Sequence, residues 1–172
     1  TGSIACYKAC AVISQLTQKG VSVQTVATPS ALRFIGRATL EGLSGRSVFT
    51  DLWEEGRALD HIELARAADL ALVCPATANT VNRLAAGLSD DPVGALFLAW
   101  ELDQKPWWVA PAMNHRMWEH PATVASLAKL RDWGINVLDP VEGPHACGEE
   151  GGGRLLEPDE ITAQVIAALA EK

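Results

Sequence analysis

The sequence predicts an α/β fold: a single three-layer α/β/α domain over residues 1–172, built on a parallel Rossmann/flavodoxin-like sheet. Two observations carry that prediction. Short apolar runs repeatedly end in small or polar residues and lead into a segment with helical period, the pattern of βα units on a parallel sheet. Helical segments also stop at glycine, at Gly20 and at Gly134, where glycine reverses the chain at little steric cost. A length of 172 residues suits one domain that buries roughly 70% of its unfolded surface.

The chain opens on Thr1-Gly2-Ser3, which reads as a turn from a strand into a helix. A parallel sheet lacking an inner strand would leave backbone donors unpaired, so a β-strand upstream of Thr1 is expected. Ala9, Val12, Ile13 and Leu16 then mark the first helix. Strands follow at residues 21–27, 70–75, 106–110 and 135–138, each near the usual length. Helical periodicity covers residues 80–86, 93–102 and 121–133. A last helix spans residues 158–170, with Pro158 in its first turn and Asp159 and Glu160 at the positive end of its dipole.

Composition excludes several classes. With 14 Lys+Arg against 21 Asp+Glu the net charge is -7, and no basic run could neutralise a phosphate backbone, so nucleic acid is not an expected partner. Apolar segments at residues 70–76 and 93–100 fall far short of the roughly 20 residues that cross a bilayer. No membrane association is expected. Cys6, Cys10, Cys74 and Cys147 lack CxxC spacing, which predicts neither a metal site nor a disulfide framework. Free thiols in a reducing cytoplasm are the simplest reading.

Ligands of open α/β sheets bind beyond the carboxyl ends of the strands, where helix N-termini gather. Four clusters map to that edge: Gly2-Ser3, Thr28-Pro29-Ser30-Ala31, Pro75-Ala76-Thr77-Ala78-Asn79-Thr80 and Pro111-Ala112-Met113-Asn114. Each alone is also an ordinary turn or cap; four at one edge point to a ligand.

Six stretches together resemble the flavin-dependent cysteine decarboxylase family, on its coenzyme A branch: GSIACYK at 2–8, TPSALRF at 28–34, DHIELARAAD at 60–69, PATANT at 75–80, PAMNHRMW at 111–118 and ACGEEGGGR at 146–154. They run in the family's order over nearly the whole chain. The resemblance implies an FMN site formed by Gly2, Ser3, Thr28, Ser30, Phe34, Pro75, Ala76, Thr77 and Asn79, with Ser30 at the phosphate and Met113 near the flavin. It implies His61 as catalytic base, Asn114 as the amide that holds the substrate carboxylate, and Arg66 as a cation for the substrate's phosphate. Met117, Ala146 and Gly151 would line the substrate. Further implications are a homo-oligomer, trimer or dodecamer, with FMN between subunits, and a fused or separate phosphopantothenate–cysteine ligase.

The implied reaction turns 4′-phosphopantothenoylcysteine into 4′-phosphopantetheine. An amino-acid carboxylate leaves as carbon dioxide only where an electron sink stands beside it. Oxidation of the cysteine side chain to a thioaldehyde provides one, loss of carbon dioxide gives an enethiol, and re-reduction completes the turnover. An imidazole exchanges protons near neutral pH, which suits His61 to take the thiol proton. A neutral amide at Asn114 orients the carboxylate without the ground-state grip of a full charge. Cys147 lies in GPHACGEEGGGR, whose 5 glycines suit a flap over bound ligand; by the resemblance its thiol protonates carbon in the reductive half. His145 stands where many relatives have leucine.

Three alternatives stay open at this level: a peptidyl-cysteine decarboxylase, a flavin prenyltransferase on the same fold, and a flavin-binding regulatory subunit without catalysis. Cys147 argues against the first, PAMNHRMW with the flap against the second, and His61, Asn114 and Cys147 together against the third. A helix-cap role is the other reading of His61, and capping or surface roles are expected of His115 and His120.

Overall fold

In the computed structural model, which describes residues 1–144, 148 and 150–171, the chain builds helices on both faces of a parallel sheet. Helix α1 (Cys6–Gln18) is followed by a 3-10 turn at Ala31–Arg33, then α2 (Arg37–Ser44) and α3 (Asp60–Ala67). Strand β1 (Ala71–Ala76), α4 (Ala78–Ala86), α5 (Pro92–Leu98) and β2 (Trp107–Pro111) come next. Short α6 (His115–Trp118), α7 (Pro121–Asp132) and β3 (Asn136–Val137) precede a hairpin of β4 (Val141–Pro144) and β5 (Glu150–Arg154), and α8 (Pro158–Ala170) closes the fold. The sheet order is β1-β2-β3, all parallel, and β4 pairs with β5 antiparallel.

The alternation of β2 makes the three layers. Trp107 and Val109 point to the side of α4, α5 and α7, packing with Val81, Leu84, Phe97 and Leu130. Trp108 and Ala110 point the other way, toward Val12 and Leu16 of α1 and Ile161 and Val165 of α8. A strand buried on both faces reads as an unbroken apolar run, and all of WWVAP is buried. Trp107 sits edge-on to Phe97 and Trp100, with ring centroids 5.0 and 5.5 Å away.

Local signals place the helix ends. Thr77 caps α4 by accepting from Thr80 N at 3.2 Å, and the helix ends at Gly87 with φ 69°. Asp91 caps α5, with Pro92 in its first turn. His120 caps α7 through Nδ1, which accepts from Ala122 N, so its expected capping role holds. Glu157 and Glu160 form a capping box at α8, satisfying two orphan backbone donors reciprocally.

Two expectations need correction. Residues 21–27 do not form a strand of the sheet; they run extended and contribute one isolated parallel bridge, Val26 to Phe49. Their apolar alternation buries Thr25 and Ala27, while Val21 and Val23 pack beside α1 and α8, so burial is met without a ladder. The helix expected over 93–102 stops at Leu98, because residues 101–105 turn, with Lys105 N donating to Glu101 O at 3.0 Å, to deliver the chain into β2. The sequence reading also omitted α2, α3 and the hairpin as elements. No helix among the described residues is long and apolar enough to cross a membrane.

Candidate functional site

At the carboxyl edge of the sheet lies an open cleft with a cavity volume of about 600 Å³, within the size range of small-molecule and cofactor sites. Its wall is assembled from distant segments: Gly2 and Ser3 before α1, Thr28 to Ser30 after the extended segment, Thr77 to Thr80 at the start of α4, and Ala112 and Met113 after β2. The floor is held together by Thr1, whose Oγ1 donates to Pro75 O at 2.6 Å and accepts from Thr77 N at 3.1 Å. Gly2 approaches Ser30 so closely that a Cβ there would stand 2.6 Å from the Ser30 carbonyl. Only glycine fits.

The polar lining suits an anionic, hydroxyl-bearing ligand. Ser30 and Asn79 are exposed, and the N-termini of α1 and α4 open on the cavity, where the positive ends of the helix dipoles favour a phosphate. Thr28 is buried, its Oγ1 accepting from Ala31 N at 3.2 Å, which shapes the turn that presents Ser30. Met113 and half-exposed Met117 supply the apolar wall.

Asn114 stands at the rim as the N-cap of α6. Its Oδ1 accepts from Arg116 N at 2.9 Å, which fixes the amide's orientation and makes Nδ2 the donor end. Over this loop lies the hairpin: Met113 N donates to Gly153 O at 2.9 Å, a Cβ on Gly153 would meet Met113 O at 2.5 Å, and Gly151 packs on His115. With φ 105°, Gly153 occupies backbone space that side chains avoid.

Of the anticipated residues, Gly2, Ser3, Thr28, Ser30, Thr77, Asn79, Met113 and Met117 meet in this cavity. Pro75 and Ala76 are buried at the end of β1, behind the lining, and Phe34 projects from the surface at 50% exposure. His61 and Arg66 lie on α3, away from the cavity wall. The His61 Nδ1 is nonetheless buried with no hydrogen-bond partner among the described residues, an expense that structural histidines avoid. Arg66 is exposed. Cys147, Ala146 and His145 lie outside the described residues. The remaining cysteines, Cys6, Cys10 and Cys74, are free thiols, and burial pushes the Cys74 thiol up to about 12.

Sequence reasoning missed Arg83, Asp90 and Asp91, which also line the cavity. Arg83 pairs with Asp90 and stands 3.6 Å from Asp91. The Asp91-Pro92 step, a cap followed by a first-turn proline, was the available signal.

This arrangement defines a class: an α/β protein with a cleft beyond the strand ends that suits a phosphorylated cofactor, and with a hairpin laid over an asparagine-bearing rim. Comparison with known proteins gives the particular family, since the profile of the Flavoprotein family matches residues 1–170, and the chain belongs to it. The coenzyme A biosynthesis bifunctional protein CoaBC of Mycobacterium tuberculosis is 46% identical over 162 residues, covering 94% of this chain. The match takes up 38% of that relative, so the chain spans about two fifths of the curated relatives' length. Among solved structures, a mutant PPC decarboxylase complexed with pantothenoylaminoethenethiol superposes with a TM-score of 0.87 at 33% identity, covering 99% of this chain and 94% of that one. The FMN binding protein AtHal3 superposes at 0.84 with 32% identity, covering the same shares.

Proposed function

We propose that residues 1–172 form one flavoprotein domain that binds FMN and decarboxylates 4′-phosphopantothenoylcysteine to 4′-phosphopantetheine. The observation that carries this reading is the meeting of Gly2-Ser3, Thr28-Ser30, Thr77-Asn79 and Met113 in one cavity beside the Asn114 amide. The residues present fit FMN: the Gly2–Ser30 approach leaves room only for backbone, the hydroxyls of Ser3 and Ser30 and two helix N-termini suit its phosphate, and Met113 suits its ring. FMN, when bound, accepts two electrons from the substrate's thiol-bearing carbon and later returns them.

The chain's residues do the rest. Asn114 Nδ2 orients the carboxylate, held in place because Oδ1 is committed to the α6 backbone. Met113 and Met117 give the site of carbon dioxide loss an apolar wall. His61 takes the thiol proton. It is absent from this chain's own cavity wall, so the reading includes a homo-oligomer, trimer or dodecamer, in which α3 of one subunit meets the cavity of the next. Cys147, between β4 and β5 in the chain, protonates carbon before release. Arg66 meets the substrate's phosphate. The relatives' bifunctional name and greater length support a ligase partner, fused or separate.

The deciding experiment supplies FMN and phosphopantothenoylcysteine and follows carbon dioxide and product mass. Release of carbon dioxide with formation of the saturated thiol is expected. A protein that binds flavin and releases none would overturn the proposal in favour of a regulatory role.

A further inference from the structure

Lys8 is 5% exposed, an unusual position for an ammonium group. It leaves α1 one helical turn after the loop that lines the cavity, and its Nζ donates to Leu155 O at 3.1 Å and to Glu157 Oε1 at 2.9 Å. That same Oε1 accepts from Arg154 Nη2 at 2.7 Å. Arg154 ends β5, and its guanidinium crosses β4 so closely that a Cβ on Gly143 would stand 3.1 Å from Nη1. One residue earlier, Gly153 O holds Met113 N. The chain Lys8–Glu157–Arg154–Gly153–Met113 therefore joins the helix under the cavity to the hairpin above its rim.

We propose that Lys8 is a positioning residue: through Glu157 and Arg154 it sets the seating of the β4–β5 hairpin on the Met113–Asn114 loop, and so the placement of substrate. A methionine would fill the same volume without the cost of burying a charge. The charge earns its place by direction, because an ammonium with two fixed acceptors holds Leu155 and Glu157 at one distance from α1 where an apolar side chain would tolerate sliding. Glu157 is itself the cap of α8, so α1, α8 and the hairpin share one node.

The bearing on substrate rests on the proposed function; the seating does not. The test compares flavin-loaded wild type, Lys8→Met and Arg154→Met by hydrogen exchange. Amides of the hairpin strands and of Met113 are expected to exchange roughly tenfold faster or more in both variants, with α4 and α7 unchanged. In turnover, KM for phosphopantothenoylcysteine is expected to rise by about the same factor while kcat for carbon dioxide release stays within about threefold. Unchanged hairpin exchange in the variants overturns the proposal. If Lys8→Met does not fold, Arg154→Met decides, since its side chain is 40% exposed; exchange like wild type there overturns it. A wild type that releases no carbon dioxide refutes the proposed function instead, and the exchange comparison still decides on Lys8.

Discussion

The backbone of Ser30 occupies the space a side chain on Gly2 would need: a Cβ there would lie 2.6 Å from both the carbonyl carbon and oxygen of Ser30. This contact joins two cavity walls that are far apart in sequence. Gly2→Ala forces them apart, and overpacking of that size costs about 1–3 kcal/mol. Since about 1.4 kcal/mol is tenfold in affinity, FMN binding is expected to weaken roughly tenfold or more in a fluorescence titration. Wild-type affinity in the variant would show that the contact does not shape the site.

Asn114 has two jobs that one substitution separates. Aspartate caps a helix as well as asparagine does, so Asn114→Asp preserves α6, but it presents a negative charge to a departing carboxylate. Thermal stability and flavin binding are expected to hold, while carbon dioxide release falls by about a hundredfold or more, the scale of losing one transition-state donor. Full activity in this variant would remove the amide from the mechanism.

Replacing Cys147 by serine removes the proposed proton donor of the reductive half while leaving the oxidative half in place. Carbon dioxide release is expected to persist in part, with a product about two mass units lighter than the normal thiol accumulating. Mass spectrometry of the quenched reaction gives the answer, and the saturated thiol as sole product would sink the assignment.

The hydrogen bond from Lys8, reinforced by the charges of Lys8 and Arg154, holds the Glu157 carboxyl below the usual carboxylate range against the smaller opposing effect of burial. A carboxyl with a lowered folded pKa contributes stability that is present above its unfolded pKa and lost as pH falls through the folded one. Wild type is therefore expected to melt higher than Glu157→Gln at neutral pH, with the two curves converging in acid. The side chain is 48% exposed, and solvent screening keeps the gap small. Parallel melting curves from neutral to acid pH would contradict the coupling.

Much of the fold was legible because it depends on local order along the chain. The apolar run at Trp107–Pro111, the cap and proline at His120-Pro121, and the stop at Gly134 each act within a few residues, and each appears where expected. Segments whose partners lie far away were less legible. Residues 21–27 carry strand-like alternation, yet only Val26 finds a ladder partner, Phe49, because pairing needs a neighbour as well as a pattern. The β4–β5 hairpin is so rich in glycine that it shows no periodicity, and it forms against His115, Trp118 and Met113.

The sequence alone determined the α/β class and which residue types could stand at the strand ends, since periodicity and capping are properties of neighbours in the chain. Tertiary structure decided which of them meet. It brought Arg83, Asp90 and Asp91 to the cavity and left Phe34 on the surface. It also drew Lys8 across 149 positions to Glu157. Such pairings follow from how layers of helix and sheet pack to bury their apolar faces, and that packing sums contacts over the whole chain, beyond the reach of any single window of sequence.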